Sequence, residues 1–219
     1  MKVVPYKPLF IMLYGYPGSG KSFFARQLAE HFQAAHIHAD RIRAELFENP
    51  HYDKEENDVI AQLMDYMTGE FLSAGLSVIY DVNAMRLGQR RLLREMARKC
   101  HAEPILIWLQ IDAESSFTRA GNRDRRRSDD KYAAPTDRAT LERIAGGMQN
   151  PQNEEYIVVS GKHTFESQLS AFVKRMRELG LVPAASDINS KVIKPGLVNL
   201  VPHQGAGRVD MTRRNIMIR

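Results

Sequence analysis

The chain has 219 residues with 31 Lys and Arg against 26 Asp and Glu, a formal net charge of +5, and 43% hydrophobic residues. That length points to one domain with an appendage, and the composition excludes a disordered, collagen-like or coiled-coil chain. A single cysteine, Cys100, excludes an intrachain disulfide, and no Cys/His cluster has zinc spacing. No apolar run approaches the roughly 20 residues that span a bilayer, and residues 1–5 lack the core of a signal peptide. A cytoplasmic protein without a membrane partner is the expectation.

Residues 9–14 (LFIMLY) form a continuous apolar run, as expected of a strand buried on both faces. Residues 21–32 carry Phe24, Leu28 and Phe32 at intervals of four and predict a one-faced helix. A short strand at 35–38 ends at Asp40, which opens a helix over 41–47. A helix is expected over 56–74, with Ile60, Leu63, Met67 and Phe71 inward, and a strand over 77–80 ends at Asp81. A basic helix at 87–99, a strand at 104–111 and a helix from 113 to about 122 follow. Thr136 and Asp137 resemble a cap for a helix to 148, and a strand at 156–160 and a helix at 165–179 complete the series. Five βα steps predict an α/β fold, a three-layer sandwich around a mainly parallel five-stranded sheet. Residues 1–182 form the expected core domain. Pro183, Pro195, Pro202 and three glycines break up residues 183–219, which read as a tail or β-arm that pairs with an edge or a partner copy.

Gly15-Tyr16-Pro17-Gly18-Ser19-Gly20-Lys21-Ser22 matches G-x-x-x-x-G-K-[ST] in full, between a buried strand and a helix. Glycines let successive N–H groups cradle phosphates, and the helix N-terminus adds a favourable dipole. In this setting Lys21 reaches the β- and γ-phosphates of ATP and the Ser22 hydroxyl ligates Mg²⁺. The bland alternative is a glycine-rich turn that fits by chance.

In open α/β sheets, ligands sit beyond the carboxyl ends of the strands. Asp81 ends the run Val78-Ile79-Tyr80 and reads as an aspartate that holds Mg²⁺, or as a helix cap or turn residue. Asp40, with Arg43 three residues on, reads as a base taking the proton of an attacking hydroxyl while Arg43 orients the acceptor. The alternative is a capping aspartate with a surface arginine. Six basic and three acidic residues crowd the stretch 119–131, within a lid expected over about 119–135. Mobile arginines there would neutralise the transferring phosphoryl group. The pairs Arg119/Arg123 and Arg123 with Arg126 or Arg127 all have suitable spacing, and Arg123 belongs to each; a solvated, salt-bridged loop is the alternative.

Pro17 in the glycine loop, the Asp40-x-x-Arg43 pair, the Asp81-Val82-Asn83 triplet and the following arginines resemble the P-loop polynucleotide 5′-hydroxyl kinases of phage type. Zeta-toxin kinases and small-molecule hydroxyl kinases are close relatives. The resemblance covers residues 8–180 in element order, with about thirty residues in close motifs. It implies an ATP- and Mg²⁺-dependent kinase with Asp40 as general base and Arg43 on the acceptor. Asn83, Arg86 and Arg90 fall where further substrate contacts would come from. Gly161, in Ser160-Gly161-Lys162, falls where related kinases line the adenine pocket, although a plain strand-to-helix turn reads as well.

The acceptor implied first is a DNA or RNA 5′-hydroxyl, then a nucleotide-sugar, sugar or other small-molecule hydroxyl. An ATP-dependent binding or regulatory module that uses the tail for assembly is the non-enzymatic reading. No NKxD motif follows a later strand, which disfavours a GTPase. His36 and His38 are expected to pack or face solvent, His38 nearer the acceptor, and Trp108 is expected in the core. The tail holds six basic and two acidic residues, so most of the net charge lies outside the kinase core and says nothing for a nucleic-acid groove.

Overall fold

The structure, a computed structural model, describes residues 3–123, 131–132 and 137–183. Strands β1 (Leu9–Tyr14), β2 (Ala35–His38), β3 (Val78–Asn83), β4 (Glu103–Gln110) and β5 (Ile157–Ser160) form one sheet in the order β2-β3-β1-β4-β5. Every pairing is parallel. Helices α1 (Lys21–Phe32) and α7 (Phe165–Glu178) pack on one face. The other face carries α3 (Lys54–Ser73) and α4 (Leu87–Lys99), with the short α2 (Ala39–Leu46) leading into α3. The expected three-layer α/β sandwich is the fold observed.

Strand β1 shows why its sequence has no polar alternation. Leu9, Ile11 and Leu13 enter one core and Phe10, Met12 and Tyr14 the other, all essentially inaccessible to water. Between β4 and β5 run α5 (Ala113–Gly121) and α6 (Arg138–Gly146), joined by a small cluster of Phe117, Ala120 and Leu141.

Two expected features shift. Helix α3 starts earlier, because the Asp53 carboxylate caps it by accepting from the Glu56 N–H at 2.9 Å. Its buried line is Glu56, Ile60, Met64, Thr68 and Leu72, one residue round from the expected line at 63, 67 and 71. A glutamate can lead that line only because Arg43 neutralises it. Strand β3 runs on through Asp81 to Asn83. A register shift against β1 seats Met12 opposite Tyr80 but Leu13 opposite Asn83, so Asp81 and Val82 bulge out of the β1–β3 ladder. No helix among the described residues is long and apolar enough to cross a membrane. Arg126, Arg127 and nearly all of the tail lie outside the described residues.

Candidate active site

The glycine loop leaves β1 at Gly15 and enters α1 at Lys21, over the carboxyl edge of the sheet. Gly18 has φ 87°, and a Cβ there would stand 2.1 Å from the Ser116 carbonyl oxygen, so only glycine fits against α5. The Ser116 hydroxyl donates to the Pro17 carbonyl at 2.8 Å and fixes the same contact. On the far side, a Cβ at Gly161 would lie 2.9 Å from the Ser19 carbonyl oxygen, which brings the β5–α7 turn against the loop. The Arg119 guanidinium donates to the Gly161 carbonyl at 2.7 Å. Gly161 and Arg119 thus meet beside the loop, where the sequence placed a nucleotide contact.

Lys21 donates from Nζ to the carbonyls of Gly15, at 2.8 Å, and Tyr16, at 2.9 Å. Burial, helped by the nearby Arg123 cation, lowers its pKa to about 8 against the pull of Asp81. A cation so desolvated is well matched to an anionic ligand. The Ser22 hydroxyl donates to Asp81 Oδ1 at 3.1 Å. This pairing of a hydroxyl with a carboxylate offers hard oxygen donors of the kind Mg²⁺ prefers, and the residues present fit that ion. Asp81 lies inside β3 and caps no helix, so the capping alternative fails.

Asp81 has a second set of partners that the sequence reading missed. Its Oδ2 lies 2.9 Å from His36 Nε2 and 3.6 Å from His38 Nε2, and the two imidazoles stack at 5.6 Å. Burial works to raise the Asp81 pKa, but these imidazoles and Ser22 outweigh it and hold the carboxyl below its ordinary range. The alternation His36-x-His38 on a parallel strand beside β3 was the available signal, since it sends both rings to the side where Asp81 stands.

Asp40 sits in the first turn of α2 behind His38, which is the N-cap, so it too is free of capping duty. Burial raises its pKa, with Asp81 adding to the shift and His38, Arg43 and Arg123 opposing it. A carboxylate whose basicity is raised in a cleft is suited to accept a proton. The cleft itself, about 260 Å³, is lined by Gly18, Lys21, Ser22, Asp40, Arg119 and Arg123, with His38 and Tyr132 at its side. His38 meets the Tyr132 ring edge-on at 6.2 Å.

Three residues expected on the substrate are engaged within the protein. Arg43 is 5% exposed and donates to Glu56 Oε2 at 2.8 Å and Asn57 Oδ1 at 2.6 Å, over the Tyr52 ring. Its guanidinium ties α2 to α3. The carboxylate of Glu56 also accepts from the His51 and Tyr52 N–H groups, which, with Arg43, hold its pKa low despite burial. Asn83 donates to the Gly15 carbonyl at 3.0 Å and accepts from the Gly15 N–H at 3.3 Å, so it braces the loop. Arg90 is wholly buried on Glu154. Arg86 is exposed at the start of α4. Trp108 packs edge-on against Tyr14 at 5.4 Å, as core.

This sheet order, with a glycine loop feeding a half-buried lysine and a hydroxyl–carboxylate pair, defines a P-loop nucleotide-binding protein with the fold of the P-loop kinases. The chain belongs to the AAA domain family (AAA_33), whose pattern it matches over residues 10–151. It is 24% identical over 178 residues to "Probable bifunctional SAT/APS kinase 2" of Sorangium cellulosum, covering 77% of this chain but only 28% of that longer protein. Its fold is similar to a gluconokinase from Sinorhizobium meliloti 1021, with TM-score 0.56 and 17% identity over 84% of this chain and 98% of that one. It is also similar to Chaetomium thermophilum Kti12 in complex with ADP-AlF3, with TM-score 0.61 and 16% identity over 80% and 100% of the two chains. These likenesses reach P-loop kinases in general and do not single out the polynucleotide or zeta-toxin branch.

Proposed function

We propose that the protein is an ATP- and Mg²⁺-dependent kinase that transfers the γ-phosphoryl group to a hydroxyl of a small molecule. The observation that carries this is the meeting of Asp40 with Lys21, Ser22, Arg119 and Arg123 around one cleft. A nucleotide sensor needs the last four but has no use for a half-buried carboxylate of raised basicity. In this reading Lys21 and the loop N–H groups hold the phosphates, and Ser22 and Asp81 hold Mg²⁺, which when bound neutralises phosphate charge. Asp40 takes the proton of the acceptor hydroxyl as its oxygen bonds to the γ-phosphorus. The bond to the β-phosphate oxygen breaks and ADP leaves. Arg119 and Arg123, with Arg126 in the expected lid, hold the charge on the transferring oxygens.

A small acceptor is favoured over a polynucleotide 5′ end on two grounds. The relatives named above include an APS kinase and a gluconokinase. Arg43, which the polynucleotide-kinase resemblance assigns to the acceptor, is committed to Glu56 and Asn57. The test is incubation with γ-labelled ATP and a panel of sugars, sugar acids, adenylyl sulfate, nucleosides and 5′-hydroxyl oligonucleotides. Label on a small acceptor is the expected result. Label on oligonucleotides alone restores the polynucleotide reading, and ATP binding without transfer to any acceptor favours a binding module.

A further inference from the structure

Beyond the residues that touch phosphate, a second layer on the other side of the loop is built with unusual care. Arg90 is completely buried, and a lone guanidinium cannot survive there uncompensated. Its Nε lies 3.0 and 3.1 Å from the two Glu154 oxygens, and one terminal nitrogen donates to Oε1 at 2.6 Å. The other terminal nitrogen donates to the Ala84 carbonyl at 2.8 Å, and the guanidinium stands over the Tyr14 ring at 5.4 Å. Arg94 completes the cluster by donating to the second Glu154 oxygen.

The two other groups that the Arg90 side chain meets, the Tyr14 ring and the Ala84 carbonyl, adjoin Gly15 and Asn83. Tyr14 precedes Gly15, and Ala84 follows Asn83. The Ala84 N–H donates to the Leu13 carbonyl at 2.9 Å, and the turn is closed by the Met85 N–H on the Asn83 carbonyl at 2.8 Å. Gln149 fastens the same turn from outside: its N–H donates to the Met85 carbonyl at 2.9 Å and its side chain accepts from the Leu87 N–H at 2.8 Å. The β3 bulge then delivers the Asn83 amide to both polar groups of the Gly15 peptide. The Gly15 carbonyl is therefore shared between Asn83 Nδ2 and Lys21 Nζ.

We infer that Asn83 is a positioning residue for Gly15 and Lys21, and that the Arg90–Glu154–Arg94 cluster holds the turn that presents it. The sequence resemblance places Asn83 and Arg90 on the acceptor; the geometry sets Asn83 against Gly15 of the glycine loop and Arg90 behind it on Tyr14 and Ala84. The inference rests on the phosphate-binding part of the proposed function and is independent of the acceptor. An apolar turn would brace the strand equally well but would leave the Gly15 carbonyl with Lys21 alone and its N–H unsatisfied.

The experiment measures Mg-ATP binding by equilibrium dialysis, and kcat and the two KM values, for the full chain and for Asn83→Ala, Asn83→Gln and Arg90→Lys. Loss of one net hydrogen bond predicts ATP affinity about tenfold weaker in both Asn83 variants, with the acceptor KM unchanged. Arg90→Lys is expected to weaken ATP binding several-fold in the same pattern. Acceptor KM raised with ATP affinity intact would overturn the inference and return Asn83 to the substrate. ATP affinity unchanged in a folded Asn83→Ala would overturn it outright. If Arg90→Lys does not fold, the two Asn83 variants decide. Wild-type protein that binds ATP but phosphorylates nothing refutes the kinase reading while the binding measurement still tests this one.

Discussion

Replacing Arg90 by methionine keeps most of the side-chain volume and removes a buried cation, so it isolates what the charge does. Glu154 would lose its largest partner, and the Ala84 carbonyl would lose its guanidinium donor. Breaking a buried pair by removing one partner typically costs about 3–5 kcal/mol. Here Arg94 still contacts Glu154, and methionine refills the space over Tyr14, so the expected loss is at the low end, about 3 kcal/mol. For a chain of this size each kcal/mol moves Tm by about 2–4 °C, which predicts a fall of about 6–12 °C. Far-UV circular dichroism through a thermal ramp measures it without reference to any activity. The double variant Arg90→Met/Glu154→Leu removes the orphaned carboxylate as well and should recover part of the loss, with Arg94 left to the Glu155 carbonyl. A single variant that melts within about 2 °C of wild type, or a double variant no better than the single, would refute the claim that the cluster is a desolvated, mutually dependent set. The same cluster sets an acid limit. Burial pushes the Glu154 pKa up, but Arg90 and Arg94 more than offset it and hold the group below its ordinary value. A depressed folded-state pKa stabilises above the unfolded value near 4.3 and is lost as pH falls through the folded value, so below about pH 4.3 wild type should lose stability more steeply than the double variant.

Other expectations follow from the cleft. Asp40→Asn should lower phosphoryl transfer by about 10²–10⁴-fold while ATP binding stays near wild type, measured by single-turnover transfer and dialysis; persistent transfer removes Asp40 from its role. Lys21, with its pKa lowered to about 8, is a cation below that value and neutral above it, so ATP affinity of the free protein should fall as pH rises through about 8. Because the Arg123 cation helps lower that pKa, Arg123→Ala should move the inflection upward; affinity flat to pH 9.5 would count against the half-buried lysine. Gly18→Ala would drive a methyl into the Ser116 carbonyl, and ATP binding should be lost with the fold retained, as read by dialysis beside circular dichroism.

How far the sequence spoke for itself differs between parts of this site for physical reasons. The glycine loop, Lys21 and Ser22 were legible because a phosphate cradle needs fixed spacing along one strand and one turn, and Asp40 and Asp81 because each stands near the carboxyl end of a strand, at the sheet edge where ligands gather. The α/β order was legible for a similar reason, since a central parallel strand such as β1 needs apolar residues on both faces. Arg43, Asn83 and Arg90 were placed on the acceptor because motif resemblance locates a residue near a site without saying which way it faces. Two local events decided their direction. Asp53 caps α3 two residues earlier than the apolar pattern suggested, and Glu56 and Asn57 in its first turn meet Arg43. The β3 bulge re-aims Asn83 at Gly15, and no alternation of polar and apolar residues across Asp81-Val82-Asn83 distinguishes a bulged strand from a regular one. Arg90 depended on a carboxylate 64 positions further along the chain, and such a pairing has no local signature. A basic helix with one arginine turned inward looks, residue by residue, like a helix with every arginine in water. Only the parallel crossover from α4 through β4 to the approach of β5 brings Glu154 beneath it, and so makes burial of that charge affordable in a fold whose phosphate loop stands directly behind it.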